Sequence, residues 1–320
     1  MKNSIYYYYN LVPDDIHQTK KMYYFYYNNN RYSLVLYDGD STNLNDIYAL
    51  HANLISQGVY VHQIILNRDN GIITLIAGNP YILLKSIYYD KKVSYENVLS
   101  FSNLFVDRNL SIYNGFLVNP VSINQISKNK SVLNTINWAD LWSKKNDYLE
   151  HQISQSGQKH LNLRNSFSYY IGLGEVSIQL VNNIAFNNTP NVISHRRINN
   201  DDTFFELYNP LNMIIDSRVR DVAEYFKNSF FSGKNIVNEL NHFLTRTNLS
   251  ETEHLLFLAR MIYPTYYFDL FEDVISEKAD DKQIKTITDL SDDYELLLKN
   301  LYNYYKSTFK IQPIEWLEKY

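Results

Sequence analysis

The residues best suited to chemistry lie between Ile193 and Tyr225, ISHRRINNDDTFFELYNPLNMIIDSRVRDVAEY. His195 can hold or pass a proton. Arg197 follows two positions on, Asp202 five further, and Asp216 ends the apolar run Met213–Ile215. A base beside two spaced oxygen ligands is the equipment of phosphoryl transfer. The base takes a hydroxyl proton and the oxygens hold a divalent cation. Arg197 breaks that set. Its guanidinium stays protonated and has no acceptor, so it cannot serve as a base. It can bind a phosphate or pair with a carboxylate, and Arg196 beside it can do the same. Asp202 and Asp216 keep the capacity to ligate a metal.

The spacing has the outline of a kinase catalytic segment, which reads His-x-Asp-x-x-x-x-Asn and then an apolar strand ending in a metal-binding Asp. His195 fits the first slot and Asp216 the last. Arg197 stands where the base belongs, and Asp202 where the Asn belongs. Ordinary phosphoryl transfer is disfavoured, and an ATP and Mg²⁺ site, if kept, is vestigial. An unrelated loop and strand with incidental acids would give the same few residues, since one His and one Asp are a short match.

The elements that must position these residues read as follows. Aromatic and β-branched runs flanking Asn28–Asn30 predict a hairpin over 22–37, because Asn tolerates the positive φ of a tight turn. A kinase would carry a glycine-rich turn and a third-strand lysine there. This chain has neither, and Asn side chains would crowd a triphosphate. Leu44, Ile47, Leu50, Leu54 and Ile55 predict a helix within 40–58, with Thr42 as N-cap and Gly58 closing it. Strands are expected at 60–67 and 71–77, and 81–87 reads as the connection onward.

The rest reads as mostly helical. Ser94 is expected to cap a helix to Leu104, and Asn137 or Asp140 one that runs past Trp138 and Trp142 to about Ser156. A further apolar helix spans 166–182, where close packing explains Gly172 and Gly174 better than a phosphate loop does. Ser250-Glu-Thr-Glu253 is a capping box. Ser291 opens the last long helix, and Trp316 and Leu317 dock the terminus. The charged stretch 276–288, poor in large apolar residues, is expected to be the most flexible.

Composition narrows the classes. The chain has 320 residues, 45% hydrophobic and 20% charged, which suits a globular fold with its own core. A net charge of −4, with Lys20–Lys21 and Lys144–Lys145 as the densest basic points, argues against nucleic acid as a partner. No cysteine is present, so disulfides, thiol catalysis and cysteine-held metals are excluded. The N-terminus lacks a signal peptide's apolar core, and the apolar runs are too short to span a membrane. A soluble, cytoplasmic chain is expected. The 30 tyrosines fit either an AT-rich genome or a use of exposed Tyr in interfaces or oxidative cross-links.

Four segments in register carry a family resemblance: Phe167–Gln179 (FSYYIGLGEVSIQ), Ser194–Arg197 (SHRR), Ile215–Tyr225 (IDSRVRDVAEY) and Leu249–Glu272 (LSETEHLLFLARMIYPTYYFDLFE). With Trp138–Trp142 and the closing PIEWL of Pro313–Leu317, they resemble the YutH-type spore-coat-associated proteins, relatives of the CotS group. The resemblance runs from about Tyr23 to the C-terminus. It implies an α+β, bilobal protein kinase-like (aminoglycoside phosphotransferase-like) fold. A small β-rich lobe over 1–84 would precede a larger helical lobe over 85–320.

It also implies that His195 is the catalytic-loop histidine, that Arg197 fills the base position and that Asp216 is the acid after the strand. Arg220, Asp221, Ala223 and Glu224 match the family's Arg-Asp-Leu-Ala-Glu run, with Val222 for Leu, and Asp221 is implied to brace the loop. Only four residues separate Asp216 from Asp221, a shorter segment than active relatives have. The implied location is the mother-cell cytoplasm and then the spore coat, with other coat proteins as partners.

Three functions compete. The first is a non-catalytic scaffold. The second is an active small-molecule kinase with Asp201 or Asp202 as base. The third is an anion- or peptide-binding module using Arg196 and Arg197 in an inter-lobe cleft.

Overall fold

A computed structural model describes residues 1–19, 22–39, 43–87, 91–107, 137–157, 159–184, 191–311 and 313–318. They form two compact units. Among the described residues the first takes 1–94, 103–107 and 201–214, and the second 95–102, 137–200 and 215–318.

In the first unit, helix α1 (Lys2–Tyr9) precedes strands β1 (His17–Gln18), β2 (Met22–Tyr27) and β3 (Asn30–Leu36). The β2–β3 hairpin turns on Asn28 and Asn29, both at positive φ, as a two-residue turn matched to strand twist requires. Helix α2 (Leu44–Ser56), then β4 (Gln63–Ile65), β5 (Thr74–Ile76) and β6 (Asn79–Ser86) complete it. The antiparallel sheet runs β1-β2-β3-β6-β4, with β5 also on β6. Ile5, Phe25, Leu34 and Leu83 are fully buried in its core.

The expected connection at 81–87 is instead strand β6, which pairs with β3, β4 and β5. Tyr81–Leu84 is buried without alternation, as in a strand covered on both faces. The proposed N-cap Thr42 lies outside the described residues. Leu44, Ile47, Leu50 and Leu54 supply the buried face of α2.

The second unit is built of helices, with α3 (Tyr95–Asp107) shared at its C-terminal end with the first. Next come α4 (Trp138–Gln155) and α5 (Leu161–Asn182), then strands β7 (Asn191–His195) and β8 (Met213–Ser217), which pair. After β8 follow α6 (Val219–Phe231), α7 (Val237–Arg246), α8 (Glu251–Ile262), α9 (Thr265–Ile275) and α10 (Ser291–Thr308).

The capping box at the start of α8 is formed, with Ser250 and Glu253 satisfying each other's backbone N–H groups. Gly174 marks the close approach of α4 and α5, because a Cβ there would lie 2.8 Å from Asn146 Nδ2. The segment 276–288, expected to be flexible, holds the turns Asp281–Gln283 and Ile284–Thr288. Asp281 caps α5 by accepting from the N–H groups of Asn162 and Leu163 at 2.9 and 3.0 Å. Capping a helix start fixes a charged segment that has little apolar surface of its own.

Tyrosine is a core residue here. Tyr170 stacks on Tyr267 at 3.7 Å, and Tyr294, Tyr302 and Tyr305 are among the largest fully buried side chains. Among the described residues no helix is long and apolar enough to cross a membrane.

Candidate functional site

His195 ends β7, Asp216 sits in β8, and Arg220 and Asp221 occupy the first turn of α6. The chain goes from strand to helix within two residues of Asp216, which brings Arg220 back over that carboxylate at helical i, i+4 spacing. Asp216 is fully buried. Its Oδ1 accepts from Trp138 Nε1 at 2.8 Å and from the Ser217 N–H at 2.7 Å. Its Oδ2 accepts from Arg220 Nη1 at 3.0 Å.

Asp221 takes both polar groups of His195. It accepts from the His195 N–H at 3.0 Å and meets the ring Nδ1 at 2.6 Å. Arg220 Nε donates to the His195 carbonyl at 3.1 Å, which ties the two carboxylates into one network. The His195 ring is buried, with Phe101 5.1 Å away. Burial lowers the Arg220 pKa, and Arg260 pushes the same way against Asp216, Glu224 and Asp221.

A second charged cluster adjoins the first. Glu224, one turn along α6 from Arg220, accepts from Lys227 Nζ at 2.9 Å, Arg260 Nε at 2.5 Å and Thr265 Oγ1 at 2.6 Å. Lys227 is fully buried and also donates to the carbonyls of Arg260 and Tyr263 at 2.8 and 2.9 Å. Burial pushes Lys227 down to about 7 although Glu224 opposes it. Burial alone would raise Glu224, but Lys227, Arg260 and Thr265 hold it well below the usual carboxylate range. The Arg260 guanidinium lies 5.1 Å from the Trp138 ring and 5.5 Å from Trp142, and Trp138 in turn donates to Asp216. Lys227 and Arg260 escaped the sequence reading. Their signals were an i, i+3 pair with Glu224 and a lone arginine inside the apolar run Leu255–Ile262.

The other candidate residues are placed elsewhere. Arg197 is exposed and pairs through Nη2 with Asp269 Oδ1 at 2.7 Å. Arg196 is half-buried. Its carbonyl accepts from Arg220 at 3.4 Å, and its Nη2 is buried with no hydrogen-bond partner among the described residues. Asp202 belongs to the first unit, where its carbonyl accepts from the Val93 N–H at 2.9 Å. The structure thus joins His195, Asp216, Arg220 and Asp221 in one hydrogen-bonded network.

A metal-binding carboxylate must turn an oxygen to the cation; here Asp216 accepts from Trp138 and Ser217 on one oxygen and from the Arg220 cation on the other.

An antiparallel sheet in the N-terminal region and a large helical C-terminal portion define an aminoglycoside phosphotransferase-like fold. An aminoglycoside phosphotransferase from Alicyclobacillus acidocaldarius superposes with a TM-score of 0.63 at 10% identity, over 96% of each chain. The AMP-bound spectinomycin phosphotransferase gives 0.55 at 13% identity, over 99% of this chain and 96% of that one. At such identities the likeness speaks for the fold alone.

The family model described as "Spore coat putative kinase YutH" matches residues 2–301, and the chain belongs to that family. The match takes in the tyrosine-rich N-terminus, where the resemblance read from the sequence was thin. The endospore coat-associated protein YutH of Bacillus subtilis is 28% identical over 153 residues, 42% of this chain and 45% of that protein. That match therefore spans about half of the relative's length.

Proposed function

We propose that this chain is a non-catalytic, kinase-like protein of the spore coat that acts in coat assembly by holding partners rather than by transferring phosphate. The state of Asp216 carries the reading. The acid where a kinase binds its metal is a buried counter-ion for Arg220 and an acceptor for Trp138. Arg197 in the base position adds to it, since it is a cation engaged with Asp269. The shape of a kinase loop is kept by the His195–Asp221 brace while the groups that do the chemistry are replaced or occupied. Family membership supports placement in the coat, with the mother-cell cytoplasm as the site of synthesis and other coat proteins as partners.

The test is a transfer assay. The full chain is incubated with Mg-ATP labelled in the γ-phosphate and a panel of hydroxylated small molecules and coat extracts. No transfer is expected. Transfer that disappears in Asp216→Asn would overturn the reading and favour an active small-molecule kinase with Asp201 or Asp202 as base.

One observation favours a second reading, that of an anion-binding module. The buried Nη2 of Arg196, without a hydrogen-bond partner among the described residues, is a donor in want of an acceptor. Titration with inorganic phosphate and with a phosphopeptide, against Arg196→Gln, tests it. Binding lost in the variant supports it, and no binding to either probe removes it.

A further inference from the structure

We propose that the face built by α5 and α10 is self-complementary, and that two copies of this chain pair through it about a two-fold axis. The inference uses none of the residues of the catalytic-loop network and stands whether or not that network is catalytic.

A groove of about 750 Å³ lies on the second unit between α5, α10 and the terminal helix Glu315–Glu318. Gly172 lines it, in the middle of α5, where glycine weakens a helix. Nothing lies within 4 Å of the point its Cβ would occupy, so no neighbour within the described chain demands glycine there. Room for a side chain from another molecule accounts for it. On the same groove Leu296 is 59% exposed, and Trp316 Nε1 is a buried donor with no hydrogen-bond partner among the described residues.

The charges identify the occupant. Asp292, Leu296 and Lys299 follow one another at i, i+4 and i+7, a single stripe of α10. Among the described residues neither Asp292 nor Lys299 makes a hydrogen bond or ion pair within the chain. Glu295, the other acid on the rim, is taken by the Tyr169 hydroxyl at 2.6 Å. The two free charges of the stripe are thus an acid at one end and a base at the other, with Leu296 and the Tyr169-bound Glu295 at its midpoint. Two such stripes laid antiparallel set Asp292 of each copy against Lys299 of the partner subunit, with the two Leu296 side chains at the centre beside the Gly172 grooves. A pattern that complements its own reverse is what an isologous contact requires. An unrelated partner gives no reason for that symmetry.

Sedimentation of the full chain from roughly 1 to 100 μM, where an interface of ordinary size dissociates, tests the proposal. The chain should dimerise. Asp292→Lys alone, or Lys299→Asp alone, sets like charges together and should weaken the dimer at least about tenfold. The double reversal D292K/K299D should restore it. Asp292 is exposed and Lys299 half-buried, neither with an ion pair among the described residues, and far-UV circular dichroism checks that each variant is folded. A chain that stays monomeric throughout, a dimer indifferent to the single reversals, or a double variant that fails to recover would each overturn the proposal.

Discussion

Arg220 Nη1 donates to Asp216 Oδ2 at 3.0 Å, and both side chains are buried. The carboxylate that the sequence offers as a metal ligand is paired within the chain. Arg220→Met should therefore act on stability, leaving Asp216 charged and unpaired in the interior at a cost of about 3–5 kcal/mol. Urea unfolding checks this. The double variant Asp216→Asn with Arg220→Met should lose less than the sum of the single losses, because it leaves no orphan charge.

Lys227 makes a parallel case deeper in the unit. It serves Glu224, Thr265 Oγ1 and two carbonyls at once, so Lys227→Met removes a buried cation from beside Glu224 and takes a donor from the Arg260 and Tyr263 carbonyls. The expected loss is again about 3–5 kcal/mol by urea unfolding, close to that for Arg220→Met. Arg197→Ala should cost under about 1 kcal/mol, since its pair with Asp269 is exposed.

Two buried histidines give the first unit an acid limit. Burial lowers His51 to about 4 and His62 to about 3, from 6.5. His51 Nε2 accepts from the Ile64 N–H at 3.1 Å, so protonating it breaks that bond. Both rings stay neutral when folded, while the unfolded chain binds protons below 6.5. The stability they carry is complete above that value and is lost as pH falls through about 4 for His51 and about 3 for His62. Urea unfolding at stepped pH should show this fall, and His62→Gln should flatten part of it.

Gly172 and Gly174 should respond in opposite directions to the same change. Gly174→Ala puts a methyl 2.8 Å from Asn146 Nδ2 and should destabilise by about 1–3 kcal/mol. Gly172→Ala meets nothing within 4 Å and should stabilise by about 0.5–1 kcal/mol. Thermal unfolding at low protein concentration separates the two.

The hairpin, α2, the capping box of α8 and the strand carrying Asp216 were legible in the sequence, because each rests on local chemistry. Asn28 and Asn29 favour positive φ, Leu residues recur at helical spacing, and Ser250 lies three residues before Glu253. The misreadings depended on distant partners. Tyr81–Leu84 looks like a connector until β3 and β4 flank it, and the contact of Asp281 with the start of α5 cannot be seen from its neighbours in sequence. At the candidate site His195 and Asp216 could be picked out from spacing, and Asp221 from the family resemblance. Trp138, 78 positions from Asp216, could not be seen as its partner, because an indole N–H gives no sign of where it will donate.

The central claim is that Asp216 serves the fold and not a nucleotide. Calorimetric titration of the full chain with ATP, with and without Mg²⁺, addresses it most directly, alongside an Asp216→Asn variant shown to be folded. A locked Asp216 predicts no Mg²⁺-dependent heat at millimolar ATP for either protein. Mg²⁺-dependent binding by the native chain that is lost in Asp216→Asn would contradict it.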